Sequence, residues 1–155
     1  MTTTLTSSDP ASFAADKASF YADPIAWMIL AAVTQTLADI APDPDPDTTA
    51  LIVTSTATTL PTCQTIAVEA RRGRIRPLRF AGANPGILAG LSCIRLGLRG
   101  PSMVLLGDPT GTARTAQALA SQWQAQGQAR LVMVVDHRQT SAGHRVTCRR
   151  VAGED

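Results

Sequence analysis

Two histidines, His137 and His144, and three cysteines, Cys63, Cys93 and Cys148, are the side chains best suited to acid–base, nucleophilic or metal chemistry here. Their spacing supports none of these. There is no CxxC pair, no HxxxH that would bring two imidazoles to one helix face, and no cysteine at metal-ligand distance from a histidine. Asp136 beside His137 permits an acid–base pair. Ser141 and Gly143 mark an exposed turn, however, so both histidines are expected on the surface, flanking a loop. Cys93 lies among apolar residues at helical spacing and reads as core, and Cys148 reads similarly on a strand. Asp108, within Gly107-Asp108-Pro109-Thr110-Gly111, could act as a general base. An aspartate directly before a proline-opened helix is more simply an N-cap. That segment lacks the lysine of a phosphate-binding loop, and the aspartate charge would oppose a phosphate. Neither a metal nor a cofactor is expected.

A chain of 155 residues has room for one ordinary domain. It is 45% hydrophobic but only 4% aromatic, so its core must be built from Ala, Val, Leu and Ile. The formal charge of +2 does not call for nucleic acid. Arg71, Arg72, Arg74 and Arg76 form a basic cluster that reads as a solvated helix end, with an acidic carrier protein or a phosphate as the alternative. An odd number of cysteines fits a reducing cytoplasm, and neither a leader segment nor a membrane span is expected.

The elements follow from pattern. Residues 1–22 read as an N-terminal arm without a firm strand, and 23–155 as the folded domain. Asp23-Pro24 opens a helix carrying Ile25, Met28, Ile29, Ala32, Val33, Thr36, Leu37 and Ile40. The run Pro42-Asp43-Pro44-Asp45-Pro46-Asp47 breaks it and makes a stiff acidic connector. Ala50 to Thr56 is apolar on both faces, as a central strand covered by helices should be. Leu60 to Arg72 returns to helix, stopped by Gly73. Another helix should begin near Asn84-Pro85 and carry Ile87, Leu91, Ile94 and Leu98 on one side, with Gly86, Gly90 and Gly97 implying that something packs close to its backbone. Met103 to Leu106 reads as a strand, a helix runs from Asp108 to about Gln126, Leu131 to Val135 is a buried strand, and His144 to Val151 alternates like an edge strand. The fold class is therefore α/β, with helices on both faces of a mixed sheet of about four to five strands.

The stretch from Asn84 to Ser102 resembles the β-ketoacyl synthase family, of thiolase-like fold. The resemblance rests on Asn84, Gly90, Ile94, Gly97, Gly100, Pro101 and Ser102 at the family's spacing, and extends by order of elements from Pro24 to Asp136. It implies the N-terminal half of that fold only. In the family, the strand after Gly-Pro-Ser leads to a nucleophilic cysteine at a helix N-terminus, where the dipole and backbone N–H groups lower the thiol pKa. Counted from Ser102, that position is Pro109, flanked by Asp108, Thr110 and Gly111. Proline has neither a nucleophile nor an N–H. In this respect the chain is similar to the chain-length factors of aromatic polyketide systems, which also lack the cysteine, although their usual glutamine is absent here. The family's His/His/Lys set from the C-terminal half has no counterpart.

The resemblance thus implies a non-catalytic accessory subunit of polyketide or fatty-acid-like biosynthesis. Family dimers pair through the strand before the nucleophile, here Met103, Val104, Leu105 and Leu106. The expected partner is a second copy or a full-length ketosynthase, with an acyl carrier protein as a further one; nucleic acid and membrane are not expected. The alternatives are a small enzyme whose acyl pocket is reused for hydrolysis, dehydration or cyclisation, recruiting Asp108, Thr110 or a histidine, and a module that only binds an acyl ligand.

Overall fold

The computed structural model describes residues 2–16, 19–74 and 76–151. The outermost parts of both expected segments, Met1 and residues 152–155, lie outside the described residues. The first long helix, α1 (Pro24–Ala38), starts where its sequence demands: the Asp23 carboxylate accepts a 2.8 Å hydrogen bond from the Ile25 N–H, satisfying one donor that the helix itself cannot. Its apolar residues from Ile25 to Val33 are buried almost without interruption. After the proline-rich connector, β2 (Thr49–Ser55) is buried along its whole length, as a strand with helices on both faces must be.

The remaining elements are β1 (Thr2–Ser7), α2 (Leu60–Arg71), α3 (Pro77–Gly82), α4 (Ile87–Leu96), β3 (Ser102–Leu106), α5 (Pro109–Ala125), β4 (Leu131–Thr140) and β5 (Gly143–Val151). They form one five-stranded sheet in the order β1-β5-β4-β2-β3. β2 runs parallel to both β3 and β4, while β5 is antiparallel to β4 and β1. One sheet face carries Leu51, Val53, Met133, Val135, Val146 and Cys148, packed against α1 and α4. The other carries Ala50, Ile52, Val132 and Val134 beneath Ala116, Ala120 and Trp123 of α5.

Several expectations require correction. Thr2–Ser7 is not an arm but a full strand, paired residue for residue from Thr2 with Arg149 to Ser7 with His144. A threonine-rich segment shows little hydrophobic periodicity, so its β propensity becomes visible only once a neighbouring edge needs covering. β5 is consequently an interior strand, and the sheet edges are β1 and β3. α3 was not expected. The Asn84 helix starts later, at Ile87, and buries Leu88, Ala89, Leu91 and Ser92, whereas Ile94 is 77% exposed. The glycines of this helix do not mark close packing within the chain: a methyl group at Gly90 or Gly97 would meet nothing within 4 Å.

Candidate functional site

At the turn from β3 into α5, Asp108 Oδ1 accepts from the Gly111 N–H at 2.8 Å, and Thr112 Oγ1 donates to the Asp108 carbonyl at 2.8 Å. Pro109 is the first helical residue. The positive end of α5 is thus occupied by the protein's own carboxylate, and its first residue has no atom able to attack a carbonyl. Thr110 beside it is exposed.

The Gly100-Pro101-Ser102 segment delivers the chain to this turn. A side chain at Gly100 would collide with the Thr49 carbonyl oxygen, so only glycine lets the segment lie against β2. The Pro101 carbonyl then accepts from the Leu51 N–H at 3.0 Å and starts the β2–β3 ladder. Gly97 closes α4 in the left-handed region, at φ 66°, and Leu98 N–H bonds back to the Cys93 carbonyl at 2.9 Å. Asn84 does not cap α4. Its Oδ1 accepts from the Gly86 N–H at 2.8 Å and shapes the turn before the helix.

β3 has β2 on one side only, so its other edge is unpaired within the described residues. Met103 and Leu106 on this strand are 39% and 63% exposed, while Val104 and Leu105 are half-buried. α4 packs against β3, and on its far side a groove of about 990 Å³ runs between α2, α3 and α4. Cys63, Ile66, Phe80, Ile87 and Gly90 line it, and Phe80 is 70% exposed.

His137 is not a surface group beside a loop, whereas His144 next to it is half-buried. They sit on β4 and β5, paired antiparallel strands whose connecting turn holds Ser141. His137 has no exposed surface, and its ring stacks on that of His144 with centroids 5.4 Å apart. His137 Nδ1 is 2.8 Å from Ser55 Oγ, and its Nε2 is 3.1 Å from His144 Nδ1. Ser55 Oγ already accepts from the Thr58 N–H at 2.7 Å and the Ala57 N–H at 3.3 Å, so its own proton points to His137 Nδ1. His137 therefore carries its proton on Nε2 and donates it to His144. Burial, reinforced by His144 and only partly offset by Asp136, lowers the His137 pKa to about 4.

His144 leads this chain to a cleft of about 320 Å³ that Arg79 and the buried Asp23 also line. Burial raises the Asp23 carboxyl above its ordinary value; hydrogen bonds from Thr62, at 2.6 Å, and from Ile25, with the nearby His144, partly oppose this. The Ser–His order evokes nucleophilic catalysis, but Ser55 is buried and already holds the backbone of the next turn. The arrangement locks β2 to the β4–β5 hairpin. Alternation along β4 and β5 carried the signal that was missed, since His137 follows Met133 and Val135, and His144 precedes Val146 and Cys148, on one face. Cys148 is buried and its thiol is pushed up to about 11, whereas Cys93 is only half-buried. No group of three or more potential metal ligands comes together among the described residues.

No family model and no curated protein matches the sequence. Solved structures do match in three dimensions. The ishigamide ketosynthase/chain length factor superposes with a TM-score of 0.75 at 17% identity, over 90% of this chain. The fold is that of ketosynthases and chain length factors. A ketosynthase from Xenorhabdus doucetiae in complex with its chain length factor gives 0.69 at 13% identity over 88% of the chain. An oxazolomycin ketosynthase domain from Streptomyces albus gives 0.57 at 19% over 94%. The chain spans 47%, 60% and 37% of the lengths of these three. The thiolase-like α/β fold and its mixed sheet agree with the sequence reading. No helix among the described residues is long and apolar enough to cross a membrane.

Proposed function

We propose that this chain is a ketosynthase-like accessory subunit of polyketide or fatty-acid-like biosynthesis that forms no carbon–carbon bond itself. It acts in the cytoplasm by pairing, with a second copy or with an active ketosynthase, and its apolar groove holds an acyl chain. One observation carries the reading: the helix start that follows the Gly100-Pro101-Ser102 strand begins with Pro109 and is capped by Asp108, leaving no nucleophile. Support for pairing comes from β3, whose free edge carries exposed Met103 and Leu106. An unpaired apolar edge invites another strand. One structural neighbour is itself a ketosynthase in complex with its chain length factor.

The reading of a small enzyme with a reused acyl pocket draws no comparable support. Asp108 is committed to its cap and His137 to Ser55 and His144. The test is to incubate the purified chain with an acyl thioester and a malonyl thioester, alone and with a ketosynthase. Alone it should neither become acylated nor release a condensed product. It should co-purify with itself or with the ketosynthase, and Leu106→Glu should abolish that association. Condensation by the chain alone would end this reading.

A further inference from the structure

On the sheet face occupied by α5, the helix covers β2 and β4 but leaves β5 and β1 bare, and this bare portion is cationic. Strand alternation puts Asp136 and Arg138 of β4, and Arg145, Thr147 and Arg149 of β5, on this one face. Arg138 and Arg145 are direct cross-strand partners. Like charges so placed destabilise a sheet, so packing does not explain them. Together with Arg149 they line a cleft of about 430 Å³ between the hairpin and the start of α5 at Ala113.

The local charges do not cancel. Among the described residues Asp136 is the only carboxylate lining the cleft, and it is engaged: it accepts from Arg138 Nε at 2.6 Å and from Thr54 Oγ1 at 2.9 Å. Among the described residues the Arg149 side chain makes one hydrogen bond, to Gln117 Oε1 at 3.3 Å. The Arg145 side chain has no hydrogen-bond or ion-pair partner among the described residues. The arginines are carried on paired strands rather than on a loop, so their stems are fixed even where their tips are free.

We infer that this cleft binds a phosphate group of a small molecule between Arg145 and Arg149, with Arg138 held at its side by Asp136. Guanidinium forks match the oxygens of a phosphate in pairs, and the Thr147 hydroxyl stands between the two arginines on the same strand face. The site does not depend on the pairing reading, because it lies on the sheet face away from α4 and its groove.

The probe is pyrophosphate, titrated calorimetrically into the full chain with ionic strength held constant by sodium chloride. Saturable one-to-one binding is expected, weakened roughly tenfold by Arg145→Gln or by Arg149→Gln. Arg71→Gln/Arg72→Gln, in a basic cluster on another element, should leave it unchanged. To guard against a variant that folds poorly, the arginine Nε–H signals of the unaltered protein are followed by NMR, and those of Arg145 and Arg149 should move together. Absence of saturation, an equal loss in the Arg71/Arg72 variant, or preference for a glutamate-rich peptide over pyrophosphate would each overturn the assignment, the last in favour of a protein partner.

Discussion

His137 Nε2 and His144 Nδ1 lie 3.1 Å apart, with the two rings stacked and His137 wholly buried on β4, between β2 and β5 in the sheet. One of these nitrogens must donate and the other accept, and Ser55 decides which. The contact is therefore a directional link, and it rests on a neutral His137.

That dependence has a definite sign. The folded-state pKa of His137, about 4, lies below the unfolded value of 6.5, so between these limits the unfolded chain binds more protons. The stabilisation is complete above 6.5 and is lost as pH falls toward 4, an effect on the order of 3 kcal/mol before relaxation of the site is allowed for. Asp23 works in the opposite sense, because its raised folded pKa lets the native state hold a proton more tightly. Urea denaturation at steps from neutral pH to 4 should show the loss, and His137→Gln should flatten it.

Ser55→Ala should destabilise the fold by about 2–4 kcal/mol, since it strands the Thr58 N–H and leaves His137 Nδ1 without a donor in a buried place. Thermal unfolding measures this directly. A change within a few tenths of a kcal/mol would mean that water replaces the hydroxyl.

Two glycines of the Asn84–Ser102 segment should respond oppositely to alanine. Gly100→Ala drives a methyl group into the Thr49 carbonyl and should cost about 1–3 kcal/mol or more. Gly90→Ala meets only open space on the groove wall and should stabilise the isolated chain by about 1 kcal/mol. If the groove holds an acyl chain, the same Gly90→Ala change should weaken binding of a fluorescent fatty acid. Unaltered binding would remove the groove from the proposed function.

Asp108→Ala should cost about 1 kcal/mol through loss of the α5 cap, and Asp108→Ser should recover most of it. Recovery of stability by serine distinguishes a cap from a general base, because serine restores the hydrogen bond to Gly111 but not a carboxylate.

Leu106→Glu should leave the unfolding temperature of the separated chain nearly unchanged, because Leu106 is already 63% exposed. Sedimentation velocity should nevertheless show a lighter species than the unaltered protein. A drop in stability without a change in mass would place β3 in the core of the monomer and remove it as a pairing edge.

Most elements were legible in local sequence because their signals are local. Asp23-Pro24 and Asp108-Pro109 announce helix starts through a cap and a fixed φ, and the unbroken apolar run from Ala50 announces a strand buried on both faces. That Pro109 offers no nucleophilic atom is equally a matter of residue type. What the sequence could not determine alone is anything that depends on a distant neighbour. Thr2–Ser7 is a strand because β5 offers it an edge, His137 finds its hydrogen-bond partner in Ser55, 82 residues away on the neighbouring strand, and Arg138 faces Arg145 because of hairpin register. Those relationships arise from packing free energies shared among several elements. Tertiary structure decided them because no window along the chain contains both partners.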